Sequence, residues 1–130
     1  MIVRIKMDVG KYLGIAEMSV FNDDGSRMVY KGKPCIRQYP VSLRAGDSLN
    51  LKELMTLRGG LKRLKPLPEL KVLIEKPGPY IRIGLSSLDK WQQSEWLTAK
   101  GKPVKYKEEW KEIHEMLKLY KVVEIEKGEE

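Results

Sequence analysis

Tryptophans and lysines are interleaved in one stretch of the sequence, WQQSEWLTAKGKPVKYKEEW, which runs from Trp91 to Trp110. This stretch contains all three tryptophans of the chain, and five lysines but one glutamate lie between Lys90 and Lys107. Lysine side chains neutralise phosphates, and indole rings lie against sugars or bases. The pattern therefore predicts a surface that contacts nucleic acid. The alternative is a solvated basic surface whose tryptophans anchor a loop on the core.

The composition of the whole chain is consistent with an acidic partner. Its 130 residues carry a formal net charge of +7, and 42% are apolar and 33% charged. This is the composition of a folded protein, and the length predicts a single domain over residues 1–130. Excess positive charge favours nucleic acid as a partner.

The rest of the composition limits where the protein works and what it contains. Cys35 is the only cysteine, which excludes an intramolecular disulfide and a cysteine-cluster metal site and favours a reducing, cytoplasmic location. The sequence contains no apolar run of about twenty residues, so no membrane span is expected. Frequent lysine and glutamate indicate a thermophilic source.

The first half of the chain predicts strands followed by a helix. Alternating and β-branched residues predict three strands, and Gly59-Gly60 within the helix predicts a close approach to a sheet. Asn50 followed by Glu53 resembles a helix cap. The segment 31–45 contains two prolines and predicts either a strand end or a crossing loop. The predicted elements are the strands Met1–Asp8, Tyr12–Phe21 and Arg27–Lys31, a turn at Asn22–Gly25, and the helix Ser48–Lys65.

The second half alternates strands and helices. A strand that follows a helix indicates parallel pairing, so the fold class is α/β with a five-stranded mixed sheet, three antiparallel strands followed by parallel ones, and helices packed on it. The final Gly-Glu-Glu is expected to fray. The predicted elements are the strand Leu70–Glu75, the helix Tyr80–Trp91, a loop or broken helix to Lys105, the helix Lys107–Tyr120 containing His114 as a surface or half-buried residue, and the strand Val122–Glu126.

This element order and several motifs resemble type-one ribonuclease H. WLTAKGKPVKYKEEW is similar to the family's basic protrusion, or handle, which has Trp-Lys-Thr-Ala, then Lys-Pro-Val-Lys, and then a tryptophan at the start of a helix. Asn50-Leu51-Lys52-Glu53-Leu54-Met55 resembles the family's Asn-Arg-Met-Glu-Leu-Met. Met7-Asp8-Val9-Gly10 resembles its Thr-Asp-Gly-Ser, and Ile125-Glu126-Lys127-Gly128 resembles its Val-Lys-Gly. The handle positions in register are Trp91, Trp96, Thr98, Ala99, Lys102, Pro103, Val104, Lys105 and Trp110.

The resemblance implies a ribonuclease H-like fold and cleavage of RNA in an RNA–DNA hybrid with Mg²⁺ or Mn²⁺ held by carboxylates. It implies catalytic and metal-binding roles for Asp8 and Glu53. The family's third carboxylate position falls on Pro77, so a local insertion is needed for Glu75 to take that catalytic role. The family's fourth carboxylate, a nearby histidine and a glycine-rich substrate loop have no counterpart in register in these 130 residues, and Glu126, Glu129 or Glu130 could approach the fourth carboxylate position.

For binding, the resemblance implies that six residues contact nucleic acid, either an RNA–DNA hybrid or single-stranded DNA. Two functions follow: a weak metal-dependent nuclease, or a catalytically inactive nucleic-acid-binding or oligomerisation module that kept the fold and the handle. A homodimer is also expected, because the missing C-terminal part of the pattern leaves a sheet face or helix groove to cover. The binding residues are Asn50, Trp91, Trp96, Lys100, Lys102 and Lys105.

Overall fold

The computed structural model describes residues 1–65, 69–120 and 122–126, and its centre is a five-stranded sheet with the strand order β5-β2-β1-β6-β7. The pairs β1–β2 and β2–β5 are antiparallel, and the pairs β1–β6 and β6–β7 are parallel. The mixed sheet predicted from the sequence is therefore confirmed. Its strands are β1 (Ile2–Val9), β2 (Leu13–Phe21), β5 (Ile36–Ser42), β6 (Lys71–Glu75) and β7 (Val122–Glu126).

Helices cover one face of this sheet and form a single core with it. The sheet contributes side chains such as Val3 and Ile5, which alternate along β1 with residues directed to the other face. The helices contribute leucines of α1 and Trp110 of α3. No helix in the described part of the chain is long and apolar enough to span a membrane. The helices are α1 (Leu49–Arg63), α2 (Pro79–Gln93) and α3 (Lys107–Leu117).

Helix α1 lies unusually close to the sheet. A Cβ atom at Gly60 would be 2.6 Å from the Cβ atom of Ala16, and a Cβ atom at Gly59 would be 2.5 Å from a methyl group of Val41. The two glycines thus provide the close approach that their position predicted. The helix starts from Ser48, whose hydroxyl accepts a 3.2 Å hydrogen bond from the backbone N–H of Leu51, so Asn50 is inside the helix and is not its cap.

The third strand of the sheet differs from the prediction. Only Val29–Tyr30 (β3) forms a strand in the predicted segment 27–31, and it pairs with Lys33–Pro34 (β4) in a separate two-stranded hairpin. Lys31 and Gly32 at its turn have φ of 52° and 77°, the two positive values that a tight two-residue hairpin turn needs. The sheet is completed by β5 in the segment where the sequence left a strand end or a loop open, and edge strands tolerate a proline such as Pro40.

The remaining elements agree with the prediction to within three residues. Helix α2 begins at Pro79 and ends at Gln93, and α3 ends at Leu117 instead of Tyr120. The strand β7 has the predicted bounds. Residues 66–68, which follow the predicted end of α1, and the predicted frayed end, residues 128–130, lie outside the described residues.

Candidate active site and nucleic-acid interface

Asp8 and the turn after β6 lie at the same edge of the sheet. Strands β1 and β6 are parallel, with Ile5 opposite Ile74, so their carboxyl ends meet at one edge. Asp8 is the penultimate residue of β1, and its side chain is exposed. It belongs to the face of β1 that also carries Arg4 and Lys6, opposite the helical core.

Glu53 reaches this edge from helix α1. Its Oε1 atom accepts a 2.7 Å hydrogen bond from the backbone N–H of Gly78, the residue that caps α2. Gly78 provides no side-chain cap, and a Cβ atom there would be 2.8 Å from Oε2 of Glu53. A carboxylate at a helix N-terminus is favoured by the helix dipole. Glu53 therefore caps the following helix and not its own, which corrects the capping interpretation of the sequence.

The third carboxylate position of the family pattern is occupied by Pro77, which is buried. Glu75 does not replace it at the turn. Its carboxylate lies 3.6 Å from Nε of Arg4, and the same arginine also binds Glu126. Within the described residues, no group of three or more His, Cys, Asp or Glu side chains is placed to hold a metal ion. The structure thus brings Asp8 and Glu53 to one edge and gives Glu75 a different partner, and the catalytic roles stay predictions.

The handle, residues Trp91–Trp110, is a folded projection and not an extended loop. Trp96 has a positive φ of 63°, and its N–H donates a 2.7 Å hydrogen bond to the carbonyl of Trp91. A short hairpin follows, with a bridge between Leu97 and Pro103. Gly101, with φ of 77°, closes the turn of this hairpin, and its N–H donates a 2.9 Å hydrogen bond to the carbonyl of Thr98.

The tryptophans of the handle pack against one another. The ring centroids of Trp91 and Trp110 are 5.7 Å apart, and those of Trp91 and Trp96 are 6.2 Å apart. Trp110 is fully buried, and Trp96 is only 8% exposed. Such a cluster supports the projection, and it leaves little of the Trp96 ring accessible to a base or a sugar. Contacts of Trp91 and Trp96 with nucleic acid stay predictions.

The lysines occupy the outer part of the handle. Lys100, Lys102 and Lys105 are all exposed, and the Nζ atom of Lys105 lies 5.2 Å from the centroid of the Tyr106 ring. We call residues 97–105 the handle tip. Asn50 is likewise exposed, in the first turn of α1. The handle tip therefore presents cations on a support that the buried tryptophans hold in place.

His114 is buried beneath the handle, which differs from the predicted surface or half-buried position. It is 5% exposed, its Nε2 atom lies 3.3 Å from Oδ1 of Asp89, and its ring meets Trp96 edge-on at 5.9 Å. Its Nδ1 atom has no hydrogen-bond partner in the described part of the chain. The residue is part of the aromatic packing around Trp96.

Comparison with known proteins identifies the family, although no family model matches the chain. A ribonuclease H of Hydrogenovibrio crunogenus is 30% identical over 119 residues, which cover 82% of this chain and 78% of that protein. The chain belongs to the ribonuclease H family. A ribonuclease H of Caldicellulosiruptor saccharolyticus is 31% identical over 97 residues, which cover 73% of this chain. The matched residues span 63% of that relative and 55% of a ribonuclease H of Xanthomonas oryzae.

Solved structures agree on the ribonuclease H fold. LC9-RNase H1, described as a type 1 enzyme with the type 2 active-site motif, superposes with a TM-score of 0.67 at 18% identity, covering 98% of this chain and 63% of that one. A foamy viral protease–reverse transcriptase in complex with double-stranded DNA gives 0.66 at 14% identity, covering 98% and 80%. The PFV RNase H domain gives 0.58 at 17% identity, covering 98% and 78%. At such identities the likeness shows the fold alone.

Proposed function

We propose that this ribonuclease H-like domain binds nucleic acid with its handle tip and hydrolyses the bound strand at the carboxylate edge, with one divalent metal ion held by Asp8 and Glu53. The observation that carries the proposal is the position of Glu53. Its carboxylate is fixed by the Gly78 N–H at the turn after β6, beside the carboxyl end of the strand that bears Asp8. Two acidic side chains from different elements thus lie at one end of the sheet, Glu53 on α1 and Asp8 on the face of β1 away from α1, so the ion would bind around the end of β1.

This donor set fits a single hard cation. Mg²⁺ is commonly bound in proteins by one or two carboxylates, with waters and substrate phosphates completing its coordination. Oε1 of Glu53 accepts the hydrogen bond from Gly78, which leaves its Oε2 atom to act as a metal ligand, and exposed Asp8 adds a second carboxylate. When bound, Mg²⁺ or Mn²⁺ supplies an activated water and neutralises charge on the phosphate. With two carboxylates instead of the family's four, slow cleavage is expected.

The other residues of the chain position the substrate. Lys100, Lys102 and Lys105 neutralise phosphates of the bound strand, which fixes its register without reading its sequence. Asn50, exposed in the first turn of α1 and three residues before Glu53, offers an amide to the strand near the carboxylate edge. The structured hairpin and its tryptophan support keep the lysines at a constant distance from that edge.

The proposed substrate is an RNA–DNA hybrid, and single-stranded DNA is the second substrate class. Relatives named ribonuclease H support the hybrid. A foamy viral protease–reverse transcriptase, 17% of whose chain superposes on this one with a TM-score of 0.62 at 13% identity, has been solved in complex with an RNA/DNA hybrid. A cytoplasmic location and a homodimer remain predictions, and sedimentation of the purified domain would measure the second of these.

Cleavage of end-labelled RNA–DNA hybrid, single-stranded DNA and duplex DNA in Mg²⁺, in Mn²⁺ and in EDTA tests the proposal. We expect slow cleavage of hybrid that is faster in Mn²⁺ than in Mg²⁺ and absent in EDTA, because the cation that Asp8 and Glu53 would hold is what would activate the attacking water. Binding, measured in EDTA by fluorescence anisotropy, is expected for the uncleaved hybrid. Cleavage that persists in EDTA, or absence of binding to all three substrates, would overturn the proposal.

Binding without cleavage is the second candidate, and one observation favours it. Pro77 is buried at the position where the family pattern has a carboxylate, and Glu53 already has a structural partner in Gly78. A proline has no oxygen to offer a metal ion. A domain of this kind would hold nucleic acid at the handle tip and leave it intact.

Replacing Pro77 by aspartate separates the two candidates. If Asp8 and Glu53 form part of a metal site, a third carboxylate beside them strengthens it, and we expect Mg²⁺ to raise the melting temperature of Pro77→Asp more than that of the wild type. Cleavage of hybrid in Mg²⁺ should rise by about tenfold or more. Pro77→Asn is the control, since asparagine has the shape and the backbone N–H of aspartate but lacks its charge. If Mg²⁺ changes the melting temperature and the cleavage rate equally in Pro77→Asp and Pro77→Asn, a domain that binds nucleic acid without cleaving it is favoured.

A further inference from the structure

A cavity lies beyond the C-terminal end of helix α1, where the strands extend further than the helix that covers them. The helix covers the sheet as far as the contact of Gly60 with Ala16 and terminates at Arg63. On the same face, β2 continues through Met18 and Val20, and Val3 of β1 is paired with Val20. The β3–β4 hairpin lies beyond the end of β2. The part of the strands that α1 does not cover therefore forms the base of the cavity, between the end of the helix and the hairpin.

This cavity has a volume of about 460 Å³ and an apolar floor. Val3 and Met18 at its base are 4% and 5% exposed, and Val20 and Leu64 are half-buried. Its volume is in the range of pockets that hold small molecules. The space is therefore large enough for one planar ring system with a short substituent.

The rim of the cavity is cationic. Lys33 comes from β4, Arg37 from β5, and Arg63 and Lys65 from the end of α1. The described lining contains no aspartate or glutamate, and no ion pair to a carboxylate is formed by these four side chains within the described residues. Arg63 and Lys65 also complement the negative end of the α1 dipole. That explanation does not extend to Lys33 and Arg37, which lie on strands, so the rim as a whole is complementary to an anion.

Two tyrosines complete the lining. Tyr30 of the hairpin is 68% exposed, although a large aromatic side chain usually finds a packing partner. Tyr39 of β5 is half-buried against the core. Aromatic rings beside arginine and lysine suit a ligand that combines a flat ring with negative charge, because rings stack and cations bind phosphate.

We propose that this cavity binds a nucleoside phosphate, with its base over the apolar floor beside Tyr30 and its phosphates at Lys33, Arg37 and Arg63. The site is separate from the carboxylate edge, because Val3 lies near the start of β1 and Asp8 near its end. It is also separate from the handle, because none of the described lining residues lies between Trp91 and Trp110. The proposal thus does not depend on cleavage or on binding by the handle tip.

Cys35 lines the cavity and is the only cysteine of the chain, so its reactivity reports occupancy. The rate of Cys35 alkylation by iodoacetamide would be measured in EDTA with increasing ADP, with adenosine, with inorganic phosphate, and with a single-stranded oligonucleotide. We expect ADP to slow alkylation in a saturable way. Adenosine or phosphate alone should protect poorly at the same concentration, because each supplies half of the interactions.

Two sets of variants test the ring and the charges separately. Tyr30→Ala should raise the apparent dissociation constant for ADP by about tenfold. Tyr12→Ala is its matched control, because Tyr12 is 63% exposed, has a lysine 5.4 Å from its ring as Tyr30 has, and lies at the other end of β2. The double variant Arg37→Gln, Arg63→Gln should lower the affinity for ADP by about tenfold or more. Circular dichroism checks that each variant is folded.

Three results would overturn the proposal. Alkylation unaffected by ADP would show that no nucleoside phosphate enters the cavity. Equal protection by inorganic phosphate would show a plain anion site, and protection by the oligonucleotide at lower concentration than by ADP would make the cavity an extension of the nucleic-acid surface. A loss of handle binding, or of cleavage, in other variants would leave these measurements unchanged, so the two proposals fail independently.

Discussion

Glu53→Gln is expected to lower the rate of metal-dependent cleavage on the order of hundredfold and to leave the affinity for hybrid in EDTA unchanged. Glutamine keeps the shape of the side chain, and its amide oxygen still accepts the hydrogen bond from the Gly78 N–H. The start of α2 is therefore preserved. What the substitution removes is the negative charge that a divalent cation needs, so the effect appears in catalysis and not in folding.

The matched control for this variant is Glu112→Gln. Glu112 is an exposed glutamate of α3 that pairs with Lys62 at 3.2 Å and Arg58 at 3.8 Å, so its neutralisation changes the net charge equally and costs little stability. Single-turnover cleavage in Mn²⁺ compares the two variants with the wild type. If Glu53→Gln cleaves as fast as Glu112→Gln, the carboxylate edge is not the active site.

Neutralising the handle tip is expected to have an effect of similar size, this time on binding. In the variant Lys100→Gln, Lys102→Gln, Lys105→Gln, three phosphate contacts are lost, and the affinity for hybrid should fall on the order of hundredfold at about 0.1 M salt. For duplex-like substrates, the slope of log affinity against log salt concentration should also become less steep by roughly three. The cause is the smaller number of counterions released when fewer phosphates are neutralised.

Total charge alone must be distinguished from the position of the charges. The triple variant Lys62→Gln, Lys71→Gln, Lys118→Gln removes the same charge from exposed lysines outside the handle. Fluorescence anisotropy over a salt series should show a much smaller loss of affinity for this control. Equal losses in the two triple variants would contradict a specific role of the handle tip and would indicate general attraction to a basic protein.

Much of the fold could be predicted because the sequence pattern repeats with the periods of its elements. The apolar positions of α1 and the β-branched run of β6 are local signals, and both elements occur where they were predicted. Gly59-Gly60 predicted the contact with the sheet because only a residue without a Cβ atom fits at such a distance. The third strand was misplaced because β5 is an edge strand with a proline, and its pairing with β2 depends on contacts between distant residues.

The candidate site was predicted only in part, for a related reason. The sequence singled out Glu53 as a metal ligand, with a cap of its own helix as the alternative, since residues three apart in one helix are the nearest neighbours that a sequence shows. The partner found in the structure, Gly78, is 25 residues away and has no side chain to signal the contact. The cavity was missed altogether, because its cations come from β4, β5 and the end of α1, where no local pattern joins them.

The sequence by itself determined the order of strands and helices except for the segment 27–45, the basic charge, and the lysines and tryptophans of the handle. These properties depend on residue type and on spacing along the chain. Only the tertiary structure decided what those residues do: it turned Trp96 and Trp110 inward as supports and left the lysines of the handle tip exposed. It also placed Glu53 at the start of α2 and Pro77 in the interior. Burial and pairing depend on which distant segments meet, and folding alone brings those segments together.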